Sequence, residues 1–160
     1  MSDPDREHLR RQVNDLHARY IRAIDDDRIE DWPNLFTEDG LYRIITRENH
    51  DQGLPLAIME CQGRRMMEDR VTGLRRINVY EPQRYSHQTS GLVIDGIGNG
   101  QVTCRSNYLV IRTMATGAMT VFAAGVYDDT IEVGADGTRF RERVVITDSR
   151  QVDTLLVIPL

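Results

Sequence analysis

The sequence predicts an α+β fold in which N-terminal helices pack on a largely antiparallel sheet made from the second half of the chain. Two observations carry this reading. Apolar residues at helical spacing are confined to the region before Pro82. From Pro82 onward, alternating segments are separated by hairpin chemistry. A length of 160 residues suits one ordinary domain, so 1–160 is read as a single unit.

The first helix rests on Leu9, Val13, Leu16, Tyr20 and Ile24, which share one face. Asp3 before Pro4 supplies an N-cap and first-turn pair, and the helix is expected to stop near Asp25-Asp26-Asp27. A short second helix is expected from Arg28 towards Phe36, burying Ile29, Trp32, Leu35 and Phe36. Gly40 then opens a strand over 41–46. The polar segment 47–63, broken by Gly53, Pro55 and Gly63, reads as a long irregular loop of the kind that serves contacts or function. A third helix over about 64–78 places Met67, Val71, Leu74 and Ile77 at helical spacing. Strands are expected near 83–95, 101–114, 118–132, 138–149 and 152–158. The first breaks between them are Gly98-Asn99-Gly100, Thr116-Gly117 and Gly134 to Gly137.

Charge and composition remove several function classes. All twenty basic side chains are arginine, which excludes a Schiff-base lysine and the lysine of a phosphate-binding loop. A net charge of −5 argues against a general nucleic-acid or anionic-membrane binder. An all-arginine surface suits bidentate ion pairing across subunit contacts. The polar start of the chain carries no signal-peptide pattern, and no apolar run approaches the ~20 residues of a membrane span. The expected location is cytoplasmic. Two cysteines, Cys61 and Cys104, are too few for a disulfide framework or a four-thiolate metal site. No helical zinc pair joins His8, His17, His50 and His87, and the Gly96–Gly100 run leads into a strand rather than a helix.

What remains is a polar pocket in the sheet. Period-two alternation puts Phe140, Glu142, Val144 and Ile146 on one face and Arg139, Arg141 and Arg143 on the other. Glu142 is then a carboxylate on an apolar stripe. It reads either as a general acid or base with Tyr42, His87 and Tyr108, or as a satisfied ion pair with one of the many arginines. The arginine row reads either as a solvated strand face or as a partner-facing strip.

Several blocks together resemble one family. They are the run from Asp31-Trp32-Pro33 to Asp39-Gly40-Leu41-Tyr42, the helix Met66-Met67-Glu68-Asp69-Arg70, the strand Arg84-Tyr85-Ser86-His87, and the tail from Asp148-Ser149 to Ile158-Pro159-Leu160. In this order the chain resembles the small (beta) subunits of Rieske-type aromatic-ring-hydroxylating dioxygenases, with a tail similar to those of the terephthalate, anthranilate and salicylate hydroxylases. The resemblance implies a cone-shaped NTF2-like (cystatin-like) fold with a curved sheet. It also implies assembly with an alpha (large) subunit in a three-plus-three hexamer. The Rieske iron-sulfur cluster, the mononuclear iron and the substrate pocket would belong to that partner, leaving no catalytic, cofactor or metal residue in this chain. Neither Cys61 nor Cys104 begins a Cys-x-His pair, as this division of labour requires. Within the quoted helix, with Met67, Val71 and Leu74 inward, Asp69 lies towards the opposite side and Arg70 flanks the stripe; both are expected subunit contacts, along with the arginine row Arg139, Arg141 and Arg143. The competing reading is a stand-alone dehydratase or isomerase of the same fold, using Tyr42, His87, Tyr108 and Glu142 or Asp39 for proton transfer.

Overall fold

The computed structural model describes residues 3–77, 81–149, 156 and 158–160. Helix α1 spans Asp3–Asp25, and a 3₁₀ helix follows over Ile29–Leu35. The stripe read from the sequence is the buried one: Val13, Leu16 and Tyr20 have no exposed surface, and Leu9 and Ile24 are buried at the stripe's ends. The 3₁₀ helix seats Ile29, Trp32 and Leu35 in the core, and Phe36 follows them inward. Its corner is clamped from α3 (Arg64–Arg76), where Arg75 donates to Glu30 at 2.6 Å and to the carboxylate and carbonyl of Asp27 at 2.8 Å each.

Among the described residues, six strands form one sheet in the order β2-β1-β6-β5-β4-β3. They are β1 (Phe36–Thr46), β2 (Met59–Gln62), β3 (Gln83–Gly98), β4 (Gln101–Met114), β5 (Met119–Gly134) and β6 (Gly137–Thr147). The hairpins of the second half lie where the glycine-bearing breaks place them, and every pairing is antiparallel except β1 with β6. That parallel pair makes the sheet mixed. It also lengthens β1 to begin at Phe36 rather than beyond Gly40, because Phe36 pairs with Phe140 ahead of an irregularity.

The segment 47–63 is less irregular than its composition suggests. It holds a short helix α2 (Arg47–Asp51), started by the Thr46 side chain accepting from the Asn49 amide, and the edge strand β2. The expected third helix ends at Arg76, and Asn78 lies outside the described residues. Of the expected strand over 152–158, only Leu156 and Ile158 are described, and neither is in a strand.

One local event reorganises β6. Thr130 pairs with Glu142 and Ile131 with Phe140, so Arg141 is an extra residue on β6, a β-bulge. Beyond a bulge the side-chain alternation moves by one position. Phe140 faces the core, Glu142 turns out, and Arg143 and Val145 turn in. Strict alternation across 138–149 therefore gives the wrong face for Glu142 and Arg143. β5 and β6 approach closely beside this region. A Cβ on Gly125 would sit 1.9 Å from the Ile146 carbonyl oxygen, so only glycine fits there.

Candidate functional site

The interior between α1 and the sheet is organised around Arg143. Its guanidinium is buried and bidentate to Asp129 of β5, with Nε to Oδ1 at 2.8 Å and Nη2 to Oδ2 at 2.7 Å. Three rings surround it at 4.1 Å from centroid to guanidinium carbon: Tyr20, Tyr127 and Phe140. From α1, His17 places Nε2 2.9 Å from Asp129 Oδ2.

The electrostatics follow from this packing. Burial disfavours the Asp129 carboxylate, but the Arg143 charge and the hydrogen bonds from Arg143 and His17 outweigh it and hold its pKa below the ordinary value. Burial lowers the pKa of His17 against the pull of Asp129, so the imidazole is neutral at pH 7. Cys104 lies beside this pair, and burial pushes its thiol up to about 12. The group is a satisfied ion pair rather than a proton donor or acceptor open to solvent.

The residues expected to form a pocket are directed elsewhere. Tyr42 is buried on β1, where its hydroxyl donates to the Leu160 carbonyl at 3.1 Å and accepts from the Leu160 amide at 2.9 Å. His87 of β3 is held by Asp25 at the end of α1. Oδ1 is 2.5 Å from Nδ1, and Oδ2 accepts from the His87 amide at 2.8 Å. A carboxylate-oriented imidazole suits base catalysis, yet this side chain has no exposed surface, and the pair works as a peg joining α1 to β3. Tyr108 stacks on Tyr127 at 4.5 Å between centroids, and burial raises its pKa. Glu142 is outside, on the far face of β6. The four are thus not assembled as one site, and Asp39 pairs with Arg141 at the surface.

The expected contact residues divide as well. Arg143 cannot meet a partner, since it is buried within its own chain. Arg139 is exposed, Arg141 is partly exposed on its bond to Asp39, and Asp69 is exposed on α3. Arg70 is half-buried and donates from Nη2 to the Leu156 carbonyl at 3.1 Å, binding the tail of its own chain.

Sequence reasoning passed over Asp129, His17 and Asp25, although two of them carried a signal. Asp129 lies on the stripe Ala123, Gly125, Tyr127, Ile131 of β5. His17 stands four residues after Val13 and three before Tyr20, at the edge of the helix stripe.

Helices packed on a mixed, mostly antiparallel sheet are the architecture of a SnoaL-like domain, and the family model of that description matches residues 5–144. The chain is 45% identical over 145 residues to the anthranilate 1,2-dioxygenase small subunit of Burkholderia cepacia, covering 91% of this chain and 90% of that one. It is 36% identical over 149 residues to a terephthalate 1,2-dioxygenase terminal oxygenase component subunit beta from Comamonas sp, covering 93% and 97%. A crystal structure from Novosphingobium aromaticivorans, described as the beta subunit of an aromatic-ring-hydroxylating dioxygenase, superposes with a TM-score of 0.89 at 36% identity, covering 96% and 98%. The chain belongs to the SnoaL-like family and, within it, to the small subunits of aromatic-ring-hydroxylating dioxygenases. Among the described residues, no helix is long and apolar enough to cross a membrane.

Proposed function

We propose that this chain, as one domain over 1–160, is the structural, non-catalytic beta subunit of a Rieske non-haem iron oxygenase that hydroxylates aromatic acids in the cytoplasm. Three copies join three large subunits, and the Rieske cluster, the mononuclear iron and the substrate pocket reside in the large subunit. The observation that carries the reading is the filled interior. Where a stand-alone enzyme of this fold needs an open polar pocket, this chain has Arg143 clasped by Asp129 and packed against three rings. Identity of 45% to an anthranilate dioxygenase small subunit supports the same assignment.

The donor set supports the division of labour. A Rieske cluster takes two cysteines and two histidines. Cys61 on β2 and Cys104 on β4 are four strands apart in the sheet, so the residues of this chain do not fit that group. Asp69, Arg70, Arg139 and Arg141 are the surface groups proposed for subunit contacts, with Arg70 and Arg141 also holding Leu156 and Asp39 of their own chain.

The test is reconstitution. Mixed with an oxygenase large subunit, the chain should give a native mass of three plus three subunits, and purified alone it should neither retain iron nor turn over an aromatic acid. A monomeric mass in the presence of the large subunit, or about one iron per isolated chain, would overturn the assignment.

A further inference from the structure

Strand register and helix packing bring three metal-ligating side chains together in the interior. Cys104 on β4 pairs directly with Asp129 on β5, and both are buried on the face that α1 covers. His17 closes over them from that helix, with Nε2 2.9 Å from Asp129 Oδ2. The Cys104 sulfur, a His17 ring nitrogen and an Asp129 carboxylate oxygen all lie within 4.8 Å of one another. Thiolate, imidazole and carboxylate are the three ligand types that zinc takes, and nitrogen and oxygen ligands of one tetrahedral zinc stand about 3.3 Å apart. The separation of His17 from Asp129 is close to that spacing.

A cavity gives this group a route to solvent. It measures about 170 Å³ and is lined by Asn14 and His17 of α1, Ser90 of β3 and Ser106 of β4. At its rim β3 bulges between Ser90 and Val93, where Gly91 takes a φ of 65°. Ser106 stands two residues along β4 from Cys104, on the same face. It is 3% exposed, and its hydroxyl has no hydrogen-bond partner among the described residues. A buried hydroxyl left unmatched is costly, and a water held in the cavity would satisfy it. We propose that His17, Cys104 and Asp129 form a zinc site with three protein ligands, whose fourth position opens into this cavity and holds a water beside Ser106. Asp129 ligates without releasing Arg143, because each carboxylate oxygen has two lone pairs and the guanidinium takes one on each. Arg143 then fixes the carboxylate from behind while its own charge stays over three rings. A neutral imidazole presents Nε2 once its hydrogen sits on Nδ1, and the thiol proton displaced by zinc leaves to water. The ion ties α1 to β4 and β5. The proposal stands apart from the assembly reading, because it concerns zinc within one chain and leaves iron to the large subunit.

The experiment uses the full chain, freed of metal with a chelator, and cobalt(II) as a spectroscopic stand-in for zinc. Cobalt should give a sulfur-to-metal charge-transfer absorption that saturates at about one equivalent per chain and is bleached by zinc. Zinc should raise the melting temperature, and magnesium, which prefers oxygen ligands, should do neither. Cys104→Ser should abolish the absorption, whereas Cys61→Ser, which alters the thiol on β2, should leave it intact. His17→Asn should weaken binding by more than roughly tenfold, the least that losing even an outer partner of a metal costs. Should Cys104→Ser or His17→Asn fail to fold, X-ray absorption on the zinc-loaded native chain decides. It should show one sulfur at about 2.3 Å beside nitrogen and oxygen at about 2.0–2.2 Å. No cobalt absorption with no zinc-dependent rise in melting temperature, an absorption that survives Cys104→Ser or disappears in a folded Cys61→Ser, or a zinc shell without sulfur overturns the proposal.

Discussion

Arg141 and Arg143 are two residues apart on one strand, each paired with an aspartate, and they do different work. Arg141 is the bulge residue, partly exposed, and pairs with an Asp39 that is 67% exposed. Arg143 and Asp129 have essentially no exposed side chain and are closed in by rings and by His17. An exposed pair exchanges water for a screened contact and gains little. A buried pair is a commitment: its members were desolvated together, and removing one leaves the other stranded. The difference shows that residue type and pairing say little here until the face is known, and one bulge decides the face.

The largest test of this comparison removes the buried carboxylate. Asp129→Ala should destabilise the fold by about 3–5 kcal/mol in urea unfolding, because it strands a buried guanidinium. The double change Asp129→Leu with Arg143→Met should recover most of that loss, since an apolar pair of similar volume avoids the desolvation cost. A single change within error of the native protein would remove the distinction between the two arginines.

A smaller effect sharpens it through pH. Burial puts the folded-state pKa of His17 below its ordinary value of 6.5. Between those two values the unfolded chain binds the extra proton, so stability is fully present above about 6.5 and falls as pH drops towards the folded value. His17→Gln, which keeps a donor near Asp129, should flatten that part of the stability–pH profile by the slope of about one proton. An unchanged slope would mean that His17 does not titrate with folding. The smallest effect belongs to the surface. Arg141→Ala should leave the urea midpoint of the isolated chain unchanged, and a clear shift would show that the Asp39 pair supports the bulge.

Much of the fold is legible in the sequence for physical reasons. Leu9, Val13, Leu16, Tyr20 and Ile24 can only share a face in a helix, and Gly98-Asn99-Gly100 supplies the positive φ of a tight turn at Asn99 and Gly100. The bulge at Arg141 is not marked by glycine or proline, so alternation alone carries Glu142 to the wrong face. The pairing of β1 with β6 joins residues about a hundred positions apart and leaves no local trace. The interior triad was half legible: the stripe through Tyr127 and Ile131 passes through Asp129, but its partner Arg143 reaches the same space only by way of the bulge. The tail's Leu160 meets Tyr20 and Tyr42 across well over a hundred residues, which no spacing rule can anticipate.

The parallel seam between β1 and β6 also sets an order of events during synthesis. β1 is made early, yet among the described residues its only neighbour in the sheet besides the short β2 is a strand that ends at Thr147. At roughly 5–20 residues per second on the ribosome, Phe36, Tyr42 and Ile44 wait several seconds for β6 to emerge. During that interval the apolar face of β1 can be covered by α1 and the 3₁₀ helix but not by its own sheet. Closure is therefore a late, long-range step, and contacts of such sequence separation form slowly. A nascent chain stalled before residue 137 should present an unfinished sheet edge to chaperones, whereas one released past Thr147 can zip the seam and seal the arginine inside.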